Sequence, residues 1–327
     1  AQDITIEDEG LAEGWEIEYD EGEGTPGEAI VGWAEEIARG TGLDPDDVIL
    51  TDSRILKSPA GEYATLLVVE VDGDPGSFPG ALEKAAKAEG YTFREMGHAT
   101  RLLVVAAPES IRKAVMNMEN TYAVKTLTTM GYERLEDGST VGARRYAEGA
   151  LAIDSAATMP YAVIGMIGVK EKDWNAAFEN FQKAFKANGK LQPTGRLAMW
   201  SYRNFGYALM KLKKPEADKA AAEALRRAIQ HERYAEKDEY VQLFVPHYNL
   251  ACVLSRLKKT DESLEALTTA LEMAKERMGQ AGLEQFIKGR VRNDEELEHT
   301  RSSKGFEEVI KRVIGMSSEE LEDEEGL

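Results

Sequence analysis

The sequence predicts an α+β domain followed by an all-α solenoid of two-helix repeats, so that the molecule is predominantly helical. Three observations carry this. Short β-branched runs alternate with helical stretches up to about residue 120. The strand signal stops near residue 124 and a 3.6-residue periodicity takes over. Within that second region, segments overlay one another in a common phase, which is how stacked repeats show themselves.

The elements follow in order. Residues 1–24 are rich in Gly and Glu, and the alternation Trp15, Ile17, Tyr19 gives a short edge strand or a disordered arm. Pro26-Gly27 opens a helix over 28–39, whose apolar Ile30, Trp33, Ala34, Ile37 and Ala38 recur every three or four residues, and Gly40 and Gly42 end it. Residues 47–56 and 63–71 read as strands. The second is the strongest, with Leu66, Leu67, Val68, Val69 and Val71 in one run, and it is expected at the sheet centre paired with 100–107. A turn at 72–77 leads to a helix over 78–89. Strands follow at 91–96 and 100–107, joined at Gly97-His98, and Pro108 starts a helix through 110–123.

The clearest repeat begins at Tyr161: Tyr161-x2-Ile164-Gly165-x2-Gly168, then Ala177-x3-Phe181-x2-Ala184. Gly165 and Ala177 are small where two helices must cross closely, Ile164 and Phe181 fill the space between them, and Asp173 is placed to cap the second helix. Tyr202-x2-Phe205-Gly206-x2-Leu209 repeats the first-helix pattern, with Pro215 opening its partner. His247-x2-Leu250-Ala251-x2-Leu254, then Ser263-x3-Leu267-x2-Ala270, repeats both. FGYALMKLKK at 205–214 overlays LACVLSRLKK at 250–259 without a gap. A weaker unit lies upstream: Met130-Gly131 precedes Ile164-Gly165 by 34 residues, and Ala147-x2-Ala150 falls where Phe181-x2-Ala184 does. The next spacings, 41 and 45 residues, make the array irregular. At least seven helices and no strand are expected between 124 and 315.

This pattern resembles the tetratricopeptide repeat family, over roughly 124–315. The stretch 292–310 is similar to the segment that closes such arrays, with Leu297 and Phe306 sealing the last apolar face. The resulting division is an acidic segment at 1–24, an α+β domain at 25–120, repeats at 121–316 and an acidic tail at 317–327. The resemblance implies a non-catalytic scaffold or adaptor that holds a partner's segment in a concave groove lined by the first helix of each repeat. By that resemblance the groove residues are Met166 and Lys170, then Arg203, Asn204, Tyr207 and Lys211, then Tyr248, Asn249 and Arg256, with Cys252 beside them. Asn204 and Asn249 have amides suited to a peptide backbone. The bases Lys170, Arg203, Lys211 and Arg256 imply a protein or peptide partner of acidic character, and the tail at 318–327 is itself such a segment. The element order of the first half resembles ring-building domains of bacterial secretion proteins. That implies one alternative, a structural subunit of a bacterial envelope or secretion-type assembly, oligomeric or part of a larger complex; a second, independent of that resemblance, is an enzyme or small-ligand-binding domain in the N-terminal half.

Composition bounds the rest. The formal net charge is -19, and the sixteen carboxylates of residues 1–24 and 318–327, which hold no Lys or Arg, account for all but three of those charges. Acidic ends on a near-neutral body argue against nucleic acid as a partner. No apolar run is long enough to span a membrane. Cys252 is the single cysteine, so no intrachain disulfide forms. The start Ala1-Gln2 suits a chain processed by signal peptidase, so an exported, periplasmic or extracellular location is expected, with the cytoplasm as the alternative. His98, His231, His247 and His299 are scattered without metal-ligand spacing, and Asp72 and Asp74 read as a turn. No catalytic residue, cofactor or metal is expected.

Overall fold

In the computed structural model the described residues are 11–19, 26–96, 101–235 and 243–315. The Gly97-His98 junction and both extreme acidic ends lie outside them. The elements are β1 (Glu16–Tyr19), α1 (Pro26–Thr41), β2 (Val48–Lys57), β3 (Tyr63–Val71), α2 (Phe78–Ala88), β4 (Thr92–Glu95), β5 (Arg101–Ala106), α3 (Glu109–Glu136), α4 (Thr140–Ile153), α5 (Met159–Lys170), α6 (Trp174–Ala184), α7 (Gly195–Lys211), α8 (Pro215–Gln230), α9 (Phe244–Arg256), α10 (Thr260–Gly289), α11 (Glu298–Arg301) and α12 (Lys304–Ile314). Among the described residues nine helices, α4 to α12, and no strand follow residue 136.

The chain divides into two compact units, residues 1–160 and 161–327. The first is built on an antiparallel sheet in the order β1-β2-β3-β5-β4. β3 is central as the sequence predicts, paired in register from Thr65 opposite Ala106 to Glu70 opposite Arg101. Its apolar run is continuous because both faces are covered. Leu67, Val69 and Val71, with Leu102 and Val104, pack against Ala34 and Ala38 of α1 and Phe78, Leu82 and Ala86 of α2. Leu66, Val68, Leu103 and Val105 point the other way, onto Ile111, Val115 and Met118 of α3. A boundary at 120/121, expected from the end of the strand signal, falls inside α3, which continues unbroken to Glu136. The helical periodicity on either side of 120 belongs to one element, and the division between compact units comes forty residues later.

In the second unit consecutive helices pack as neighbours. The turn inside each repeat holds one residue in the left-handed region. Lys172, Lys213 and Lys258 all sit at positive φ, as does Gly138 in the turn between α3 and α4. The spacings 34, 41 and 45 are those of the repeat phase. Asp173 N–H donates to the Gly168 carbonyl, Lys259 N–H to that of Leu254 and Ser139 N–H to that of Arg134, the six-to-one bond of a left-handed helix end. Leu297 and Phe306 are fully buried in the core formed by α8, α9 and α10.

Candidate partner-binding groove

Close crossing of paired helices positions the first helices, α5, α7 and α9, on which the groove is expected. A β-carbon on Gly165 would meet the Phe181 ring at 2.9 Å, and one on Gly168 would meet the Ala177 backbone nitrogen at 2.8 Å. One on Gly206 would meet Leu225 Cγ at 2.6 Å. Asp173 caps α6 by accepting from Ala176 N–H at 3.0 Å. Between α6 and α7 runs an aromatic seam: Phe185 stacks on Tyr202 at 3.8 Å, Phe181 lies 5.4 Å from Phe205, and Trp174 meets Tyr207 edge-on at 5.8 Å.

On α7 the expected residues lie at half-buried or exposed positions. Tyr207 carries Lys211 over its ring at 5.1 Å, and the Arg203 guanidinium lies over Trp200 at 4.5 Å. Asn204 is half-buried, and its amide donates to the Trp200 carbonyl one turn back at 2.7 Å. That amide therefore spends one of its N–H groups on its own helix. On α5, Lys170 is exposed at the C-terminal end, whereas Met166 is 5% exposed and belongs to the packing.

The third repeat departs from the expectation. Gly279 interrupts α10 with φ 70° and ψ 178°, a conformation open to glycine alone, and the chain turns back. Phe286, beyond the kink, packs edge-on against Tyr248 and Phe244. The segment after α10 then lies on α9. Tyr248 is buried and donates its hydroxyl to Asp294 Oδ2 at 2.8 Å. Arg290 pairs with the same oxygen at 3.0 Å. Arg256 is held by the Asp218 carboxylate, by Glu296 at 3.1 Å and by the Met210 carbonyl at 3.2 Å. Of the residues expected on this part of the groove, Tyr248 and Arg256 are thus occupied by the chain's own carboxylates, and only Asn249 is half-buried without such a cover. The reason is legible afterwards: Gly279 and the acidic 294–296 stretch allow the closing segment to fold back over α9.

Burial governs the chemistry here. It is the largest influence on the Asp218 carboxyl, which burial, with Glu296 nearby, holds above its ordinary range against the pull of the Arg256 guanidinium. Burial, then Cys252 and Asp294, holds the Tyr248 phenol above its ordinary range. The Cys252 thiol is pushed well up by burial first and by Asp294 and Glu296 next. A thiol so placed is a packing group. Sequence reasoning missed a buried hydroxyl chain in the same repeat: Thr300 donates to Ser263 at 2.7 Å, Ser263 to the Ala251 carbonyl at 2.8 Å, and Thr300 N–H to Ser255 at 3.1 Å. Ser263 stands where the first repeat has Ala177, and nothing in the spacing distinguishes a packing residue there from a tethering one.

Among the described residues no group of three His, Cys, Asp or Glu side chains is arranged to hold a metal ion, and no helix is long and apolar enough to cross a membrane.

Paired helices crossing at glycine and alanine and stacked in a common phase define a helical repeat scaffold for protein interaction. One repeat is of the tetratricopeptide type: the tetratricopeptide repeat family model matches residues 246–277, which is α9 with the first part of α10. A stretch of 154 residues is 29% identical to a chloroplastic protein of Arabidopsis thaliana, and covers 39% of this chain and 43% of that one, so the match spans less than half of the relative. Solved structures with similarity include YrrB, described as a TPR protein with an unusual peptide-binding site, at 16% identity, 66% of this chain, 98% of that chain and a TM-score of 0.39. Pseudomonas aeruginosa pilF follows at 19% identity, 64% and 100% coverage and 0.38, and MamA at 19%, 60% and 96% and 0.35.

Proposed function

We propose that the helical half is a non-catalytic adaptor that holds an acidic, extended partner segment along α5 and α7. One observation carries this. The last base of the first helix is in phase across the three repeats, as Lys170, Lys211 and Arg256, and Arg256 already takes the carboxylates of Asp218 and Glu296 from its own chain. The bases at the two earlier positions are exposed. Arg203, Tyr207 and Asn204 line the path between them, with Asn249 at its margin. Met166, Tyr248 and Arg256 shape the groove from within the packing and do not contact the partner.

Exposed carboxylate contacts are worth about 0.2–1 kcal/mol each, so affinity in the micromolar range needs several of them together with the aromatic wall. The test is fluorescence anisotropy of full-length protein with a labelled Glu/Asp-rich peptide. Arg203→Glu with Lys211→Glu is expected to weaken binding at least tenfold, and salt to weaken it further. Deleting 318–327 is expected to tighten binding, because that tail competes for the same bases. Normal binding by the double variant places the partner surface elsewhere.

A further inference from the structure

Among the described methionines Met116, Met130, Met273 and Met278 are half-buried, and the others are buried. A small oxidant reaches a thioether according to its exposure, so oxidation starts at these four. Their surroundings differ. Met278 packs against the apolar core of the second unit. Met116 and Met130 both stand on α3, about four helical turns apart and so on nearly the same face. Each meets a donor from the sheet. The Thr92 hydroxyl of β4 lies on Met116 Sδ at 3.2 Å, and Arg101 Nη1 of β5 lies on Met130 Sδ, also at 3.2 Å.

Met130 fills the position before the small crossing residue, which Ile164 and Phe205 fill in later repeats. Phe205 there meets the rings of Phe181 and Phe178 at 5.4 and 6.2 Å. At the same position α3 presents a thioether to a guanidinium. A thioether sulfur is a weak acceptor. A sulfoxide oxygen is a strong one. It is bonded to the same sulfur, which brings it within reach of the Arg101 N–H group. The guanidinium keeps its charge at any working pH, so that hydrogen bond is charge-assisted and about twice as strong as a neutral one. Elsewhere a sulfoxide costs stability, because its polar oxygen enters apolar packing without a donor. Thr92 is the weaker match for Met116, since its hydroxyl is neutral and also faces the Val105 carbonyl at 3.5 Å.

We propose that Met130 is a reversible oxidation site, converted to its sulfoxide by a peroxide and held in that form by Arg101. The sulfur attacks one peroxide oxygen, an S–O bond forms and the O–O bond breaks. The departing hydroxide takes the proton of the attacked oxygen and leaves as water. The sulfur gives up two electrons and the peroxide is reduced by them. In the return step two thiols become a disulfide, and the sulfoxide oxygen leaves as water. Oxidation here fastens α3 to β5, where at an apolar site it would loosen the packing. The site lies in the sheet unit and is independent of the groove on α5 and α7.

The experiment treats the full-length protein with hydrogen peroxide and maps the added oxygen by peptide mass spectrometry. Met130 is expected to oxidise about tenfold faster than buried Met118. A methionine sulfoxide reductase with dithiothreitol is expected to return its mass to the starting value. Stability is read in a chain carrying Met116→Leu, Met273→Leu, Met278→Leu and Met316→Leu, so that brief oxidation falls on Met130. Its Tm after oxidation is expected to stay within about 1 °C of the untreated value or to rise. With Arg101→Gln added, the same oxidation is expected to lower Tm by about 3 °C or more. Circular dichroism checks the fold of each variant. A second comparison does not depend on Arg101 variants. Met130→Gln, which carries an oxygen acceptor at the end of a side chain of similar length, is expected to melt no lower than Met130→Leu. Three results each overturn the proposal: Met130 left unoxidised while Met273 and Met278 are converted, an equal loss of Tm with and without Arg101→Gln, or a Met130→Gln protein that melts below Met130→Leu.

Discussion

At the residue scale, Gly168 and Cys252 separate packing from chemistry. Gly168 has no room for a β-carbon, because the obstacle at 2.8 Å is the backbone of Ala177 and cannot rotate away. Gly168→Ala is therefore expected to cost about 1–3 kcal/mol, seen as a lower urea midpoint with an unchanged slope. The residue is readable from sequence as the small member of a helix crossing, since its spacing to Ala177 and Phe181 fixes which faces meet. Cys252 was readable only as a cysteine inside a repeat helix, and its silence comes from Tyr248, Asp294 and Glu296 closing over it. Its thiol is raised in the fold, so the folded state favours the neutral form. The stability this contributes is complete below the unfolded value of about 8.5 and is lost as pH rises beyond it. Native protein at pH 8 is expected to react with a thiol reagent far more slowly than protein in denaturant. Equal rates would show that the segment over α9 opens freely.

At the element scale, the repeat is a pair of helices and the turn between them. The helices were legible because Gly165, Gly206 and Ala251 recur in phase with large residues three and four positions away. The turn was less so. A glycine at Gly138 announces a left-handed helix end, but the same geometry in the other three repeats is carried by Lys172, Lys213 and Lys258, residues that give no such signal. Lysine held at positive φ costs about 1 kcal/mol relative to glycine. Lys258→Gly is thus expected to stabilise by about 0.5–1 kcal/mol, measured as a higher denaturation midpoint, provided its six-to-one neighbour bond from Lys259 persists. A loss of stability would mean that the Lys258 side chain contributes more than its backbone costs. The kink in α10 is the opposite case: Gly279 was visible, but within a run of helix-forming residues it reads as a tolerated glycine. Only the apolar Leu283, Phe286 and Ile287 beyond it, which need a surface to cover, give the reversal its reason.

At the scale of the whole molecule, the class of each half was legible and the junction was not. Alternation of strand and helix signals marks the sheet unit, and repeat phase marks the array, because both are periodic properties that a local reading detects. A boundary is a property of which surfaces bury which, and α3 shows the difference. Its first half covers the sheet through Ile111, Val115 and Met118, and its second half, with Leu127 and Leu135 buried, continues as the helix that pairs with α4. Cutting at 121 severs one helix through its middle and strips the sheet unit of part of its chain, whereas cutting at 161 follows the division between compact units. A fragment of residues 1–160 is therefore expected to unfold cooperatively, and a fragment of residues 1–120 to bind a hydrophobic dye and lose the sharp transition. The energetic reason lies in Arg54. Its partner Glu119 would stand at the frayed end of the shorter fragment, and a buried guanidinium whose carboxylate is lost costs about 3–5 kcal/mol, a large share of the stability of a small domain. Circular dichroism melts of the two fragments decide it. Equal cooperativity would show that the sheet unit is complete at residue 120 and that the rest of α3 belongs to the array.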